Sequence, residues 1–157
     1  MSVRRALSIA LAGLVVCATA TGCSDPGARA GFGLPTLDPP DAEEIAGTAA
    51  EQLYGAVAVE SNGCFTWRAD EPGSDPDGAW IVWPDGAHQD DDEVVLATGE
   101  VGDGDPVAAI GAVVEVDDLP GGSNADSYFG SFARFCGADE TGVLVLTEAE
   151  PGGVPVP

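Results

Sequence analysis

The chain has 157 residues, with 27 acidic residues against 5 arginines, no lysine, one histidine and a formal charge of −22. So acidic a chain repels polyanions, which excludes nucleic acid, phosphate-rich wall polymers and anionic lipid surfaces as partners and leaves cations and basic polypeptides. The part beyond the amino-terminal segment suffices for one modest hydrophobic core but not for two.

The chain opens MSVRR, and segment 6–20, ALSIALAGLVVCATA, then carries no charge. Basic residues, an apolar run and small residues at its exit have the form of an export signal. A transmembrane helix needs about 20 apolar residues, more than this run supplies. Two cleavage schemes compete. Ala18-Thr19-Ala20 has the small-x-small form of an ordinary signal peptidase site, whereas Ala20-Thr21-Gly22-Cys23 resembles the bacterial lipobox. Ala20 stands where that family prefers Leu, and Cys17 fits worse because bulky Val16 precedes it. The lipoprotein resemblance implies that residues 1–22 are removed and that Cys23 carries two or three acyl chains such as palmitate, enough for stable anchoring. It also implies a cell-membrane location on the extracytoplasmic face. Ordinary cleavage would leave Cys23, Cys64 and Cys136, an odd number for an oxidising compartment. Lipidation of Cys23 leaves two, which can pair.

Removing Arg4 and Arg5 leaves three arginines against the 27 acidic residues, a mature charge near −24. The usage, rich in Ala, Gly, Asp and Val, resembles that of actinobacterial chains. Residues 23–41, rich in Gly and Pro, read as a tether. Asp41 and Glu44 have capping-box spacing, and Ile45, Ala49 and Leu53 follow at four-residue steps, so a short helix is expected over 42–52, against the preference of Gly47 and Thr48. The folded domain is expected to span 42–149 and the tail 150–157 to be disordered.

From Tyr54 the pattern changes to strands and turns. YGAVAVE and CFTWR flank Ser61-Asn62-Gly63, and Asn-Gly between apolar runs signals a hairpin. AWIVW (79–83) stops at Pro84-Asp85-Gly86. EVVLAT (93–98) ends at Gly99, IGAVVEV (110–116) before Leu119-Pro120-Gly121-Gly122, and GVLVLTE (142–148) comes last. With Asn62-Gly63 as a two-residue turn, Val57, Val59, Cys64 and Thr66 share one face and Phe65 and Trp67 the other, so the buried side is not assigned. Between the last two runs, NADSYFGSFARFC carries Tyr128, Phe132 and Phe135 at helical spacing, with Gly130 counting against a helix. Six short strands with one or two short helices suggest a mainly β fold, a small closed or partly open, OB-like barrel.

Cys64 and Cys136 are expected to form one disulfide; neither belongs to a C-x-x-C motif nor has a histidine nearby in sequence. The order N-G-C, then W-P-D-G, then a late Cys before the final strand resembles small uncharacterised actinobacterial lipoproteins. The resemblance covers about residues 54–148, implies a compact OB-like β-barrel and implies no activity.

Candidate chemistry is sparse. Ser-His-Asp catalysis would need His88, which follows a turn in a hydrophilic run without a nucleophile-elbow motif, so small-hydrolase chemistry is the alternative rather than the expectation. Asp90 to Glu93, Asp103 with Asp105, and Asp75 with Asp77 are acidic pairs and runs that a Ca²⁺ site would draw on, yet none matches the calcium-loop motif. Trp67, Trp80 and Trp83 form a possible binding platform, weighed against core packing; Trp80 and Trp83 must face opposite sides of one strand. No cofactor or metal is expected. The chain reads as a non-catalytic binding or interaction module, anchored to the membrane by lipid, with another envelope protein as the possible partner and no nucleic acid.

Overall fold

The computed structural model describes residues 33–153. The segment expected to be an export signal, Cys23, residues 24–32 of the expected tether and residues 154–157 lie outside them. The first element is a two-residue strand, β1 (Thr36–Leu37), and a helix, α1 (Pro39–Ala46), follows at once. Asp38 caps α1, its carboxylate accepting from Asp41 N at 3.1 Å, and two prolines open the helix, where a missing N–H costs nothing. Gly47, at φ 51°, ends it. The helix expected over 42–52 therefore starts and stops earlier. Leu37 and Ala42 are buried, so the folded unit begins before the expected boundary at 42.

A short 3₁₀ turn at Gly47–Ala49 leads into β2 (Glu51–Val59), which takes Glu51 and Gln52 from the expected helix. The chain then forms β3 (Phe65–Ala69) and β4 (Trp80–Pro84), antiparallel neighbours of β2 and β3 respectively. A meander of three short strands follows, β5 (His88–Asp90), β6 (Glu93–Leu96) and β7 (Gly99–Val101). EVVLAT thus contributes only as far as Leu96, and Gly99 begins a strand rather than ending one. β8 (Pro106–Val114) returns antiparallel to β2. After it come α2 (Tyr128–Cys136), a single turn α3 (Ala138–Thr141), and β9 (Val143–Pro151), antiparallel to β8. Strand β9 includes Glu150 and Pro151, two residues of the segment expected to be a disordered tail.

Closure comes from one parallel contact. Trp80, Ile81 and Val82 of β4 pair with Val143, Leu144 and Val145 of β9, making a five-stranded ring β4-β3-β2-β8-β9. Parallel neighbours need a long crossover, here the whole stretch from the meander to α3. The fold is mainly β, a closed OB-like barrel, with β1 added outside β4 and β5–β7 forming a separate small sheet.

The hairpin between β2 and β3 resolves the ambiguity of faces. Glu60 N donates to Cys64 O at 2.8 Å and Gly63 N to Glu60 O at 2.8 Å, with Gly63 at φ 87°. The loop therefore holds Ser61, Asn62 and Gly63 rather than Asn62-Gly63 alone, the three-residue form with glycine in the left-handed region. Val59 faces Phe65 and Val57 faces Trp67. That one-residue change of register brings Val57, Phe65 and Trp67 onto one face.

They point into the barrel, where Ile81, Trp83, Leu144 and Leu146 complete the interior. A second cluster lies outside it. Trp80, Val82, Val143 and Val145, on the other face of β4 and β9, are covered by Leu37, Phe129 and Phe132. Two clusters separated by β4 and β9 thus replace the single core expected from length, and strand Trp80–Trp83 is buried on both faces.

Candidate functional site

The three tryptophans offer no surface for a ligand. Trp67 and Trp80 are each 1 % exposed and Trp83 is 0 % exposed. Trp80 stacks on Phe132 of α2 with ring centroids 5.5 Å apart, and Trp83 meets Phe65 edge to face at 6.1 Å. Trp67 lies across Gly55: a Cβ there would sit 2.6 Å from its ring and from Arg68 O. Of the possible binding platform and the core packing weighed from the sequence, the structure has core packing: β4 is covered on both faces, and Trp67 of β3 points into the barrel. Among the described residues, Trp67 Nε1 and Trp83 Nε1 are buried without a hydrogen-bond partner in the protein.

Cys64 and Cys136 form a disulfide, their Cα atoms 5.7 Å apart. It ties the end of α2 to the β2–β3 loop. Asn62 strengthens the junction: its Oδ1 accepts from Cys64 N at 3.1 Å and its Nδ2 donates to Phe135 O at 3.2 Å.

The acidic turns hold backbone. Asp77 accepts from Gly73 N at 2.8 Å and from Ala69 N at 3.1 Å, contacts that hold its carboxyl below the usual range. Asp103 accepts from Val59 N at 3.1 Å and faces Arg68 at 3.6 Å, and Asp105 accepts from Gly102 N at 2.9 Å. Asp90 and Glu93 close the β5–β6 hairpin, with Asp91 at φ 52°. No group of three or more His, Cys, Asp or Glu side chains among the described residues is placed to hold a metal. His88 is exposed on β5, opposite Val95.

A groove of about 230 Å³ opens at one end of the barrel. Pro84, Asp85 and Ala87, from the turn after β4, form one wall. Leu96, Ala97 and Thr98 contribute a second wall from the β6–β7 turn. Glu148, Ala149 and Glu150 of β9 make the third. Leu96 belongs to the interior cluster and Ala87 and Ala149 pack against it, so the floor is continuous with the core. Asp85, Glu148 and Glu150 are exposed and supply carboxylates at the rim. The groove exists because β4 and β9 pair only through Val82 and Val145 and part beyond them. The meander fills that seam incompletely. Three distant segments make these walls, and only the Pro84-Asp85-Gly86 turn and the alternation of Thr147 to Glu150 hint at it in the sequence.

Compared with known proteins, the chain matches no family model, no curated protein and no solved structure.

Proposed function

We propose that the protein is a lipid-anchored envelope protein on the extracytoplasmic face of the cell membrane, and that its barrel is a non-catalytic binding module. The observation that carries the binding reading is the groove at the β4–β9 seam. Its lining offers methyl groups, carboxylates and the Thr98 hydroxyl, with no histidine or cysteine to act as base or nucleophile. A concave apolar floor with a few polar groups at its edge is the ordinary form of a recognition site. The anchoring reading rests on Ala20-Thr21-Gly22-Cys23. Residues 24–32 separate Cys23 from Gly33, where the described unit begins, a span of at most about 35 Å when fully extended. The barrel would then work close to the membrane surface, within reach of other envelope proteins.

Intact mass and membrane partition of the native protein, beside a Cys23→Ala form, test the anchor. The expected result is acyl mass on a chain beginning at Cys23, with the variant lost from the membrane fraction. An unmodified chain beginning at Thr21 overturns it.

A further inference from the structure

Resting on the binding-module reading, we infer that the groove at the β4–β9 seam is a docking site for an extended, basic polypeptide segment. Three features of the groove converge on that occupant. The first is the floor. Leu96, Ala97 and Ala149 present apolar surface on which the methylene stem of a lysine or arginine side chain would lie, while Asp85, Glu148 and Glu150 stand at the rim to receive its charged head.

The second feature separates a long cation from a point ion. No three metal-ligating side chains converge among the described residues, so these carboxylates do not form the oxygen cage that a bare divalent cation requires. Charges spread along a groove suit a ligand whose own charges are spread along a chain. The balance of 27 acidic residues against 5 arginines supplies the long-range attraction that brings such a segment to the surface.

The third feature is the edge of β9. Strand β8 pairs with one edge of β9 as far as Pro151, but β4 leaves the other edge after Val145. Among the described residues no strand pairs with that second edge from Leu146 to Pro151. Alternate residues of an antiparallel strand turn their N–H and C=O groups to the side away from the partner, so this edge offers main-chain hydrogen bonds to an incoming extended segment. Glu148 and Glu150 flank the same edge, favour basic side chains on that segment and disfavour acidic ones.

The test uses the mature lipidated protein in zwitterionic nanodiscs and a fluorescein-labelled hexapeptide of alternating valine and arginine, at near-physiological salt, where diffuse attraction between distant charges is largely screened. Fluorescence anisotropy reads binding to three proteins: the native chain, Glu148→Gln/Glu150→Gln, and Asp139→Asn/Glu140→Gln. The last removes two carboxylates from α3, before the opposite end of β9. The expected result is saturable binding that weakens tenfold or more in the groove variant and changes less than twofold in the α3 variant, with both variants melting as the native protein does. Equal weakening in the two variants, or no saturable binding to the native chain, overturns the docking site. Cross-linking of the native protein in its own membrane distinguishes the two failures. A cross-linked partner without peptide binding overturns the groove alone, and the absence of both overturns the binding-module reading as well.

Discussion

Asp77 holds the excursion between β3 and β4 in place, and its chemistry leads to a pH dependence. The amides of Gly73 and Ala69, with a smaller contribution from Arg68, lower its pKa from the ordinary 3.8. A carboxyl with a depressed folded-state pKa adds stability that is fully present above its unfolded pKa and is lost as pH falls through the folded value. Asp77→Asn is therefore expected to lower stability at neutral pH and to narrow the difference between pH 7 and pH 3, measured by urea unfolding at both; an unchanged difference would count against the hold that its two amide contacts give the excursion. Gly130 carries the opposite lesson about legibility. By propensity it counts against a helix, yet α2 forms around it, because the helix packs onto the 122–124 loop and a Cβ at that position would run into Asn124 O. Gly55 is the same case beneath Trp67. Their requirement is steric and tertiary, so a local reading of the sequence registers only the propensity cost.

At the scale of elements, the disulfide and the two layers on β4 decide how α2 is held. The Cys64–Cys136 bridge closes a loop spanning 72 residues and joins α2 to the β2–β3 loop, while Phe129 and Phe132 bury the same helix against Trp80 and Val82. Closing a loop of that length contributes roughly 4 kcal/mol in the chain-entropy description. The Cys64→Ala/Cys136→Ala variant is expected to melt about 10–20 °C lower and to lose hydrogen-exchange protection first in α2, measured by calorimetry and exchange mass spectrometry. A variant whose earliest exchange lies in β2 or β8 would contradict that order. The pairing was legible on the expectation that Cys23 carries the anchor, which leaves two cysteines. Other local choices were not legible. Asp38 rather than Asp41 caps α1, and the hairpin register depended on a three-residue loop in place of a two-residue one. Apolar runs mark strands well, but β5 is short and exposed, and β7 opens on a glycine, so both escape the pattern.

For the whole molecule, closure and charge matter most. The barrel shuts through three parallel residue pairs between β4 and β9, and the seam beyond them is where the groove opens. With 27 acidic residues against 5 arginines, and with Arg68 and Arg134 the only arginines among the described residues, self-repulsion opposes the folded state. Raising ionic strength from about 0.01 to 0.15 M shortens the screening length from roughly 30 to 8 Å. The melting temperature is expected to rise by about 3 °C or more over that range, read by calorimetry of the full chain. A flat or falling curve would mean that the carboxylates are already compensated.

The sequence by itself determined the class of fold, most of the strands, the segment that becomes α2, the pair of cysteines and the sign of the chain's own charge. Those follow from composition and from periods of two and about four residues, which act over short distances along the chain. The tertiary structure decided which faces are buried, that β4 is covered on both sides, that all three tryptophans belong to the cores, and that a groove opens at the barrel's end. These depend on a single residue of register and on segments far apart in sequence meeting at one seam. No local pattern encodes that meeting, because each wall of the groove is an ordinary turn or strand end until the barrel closes.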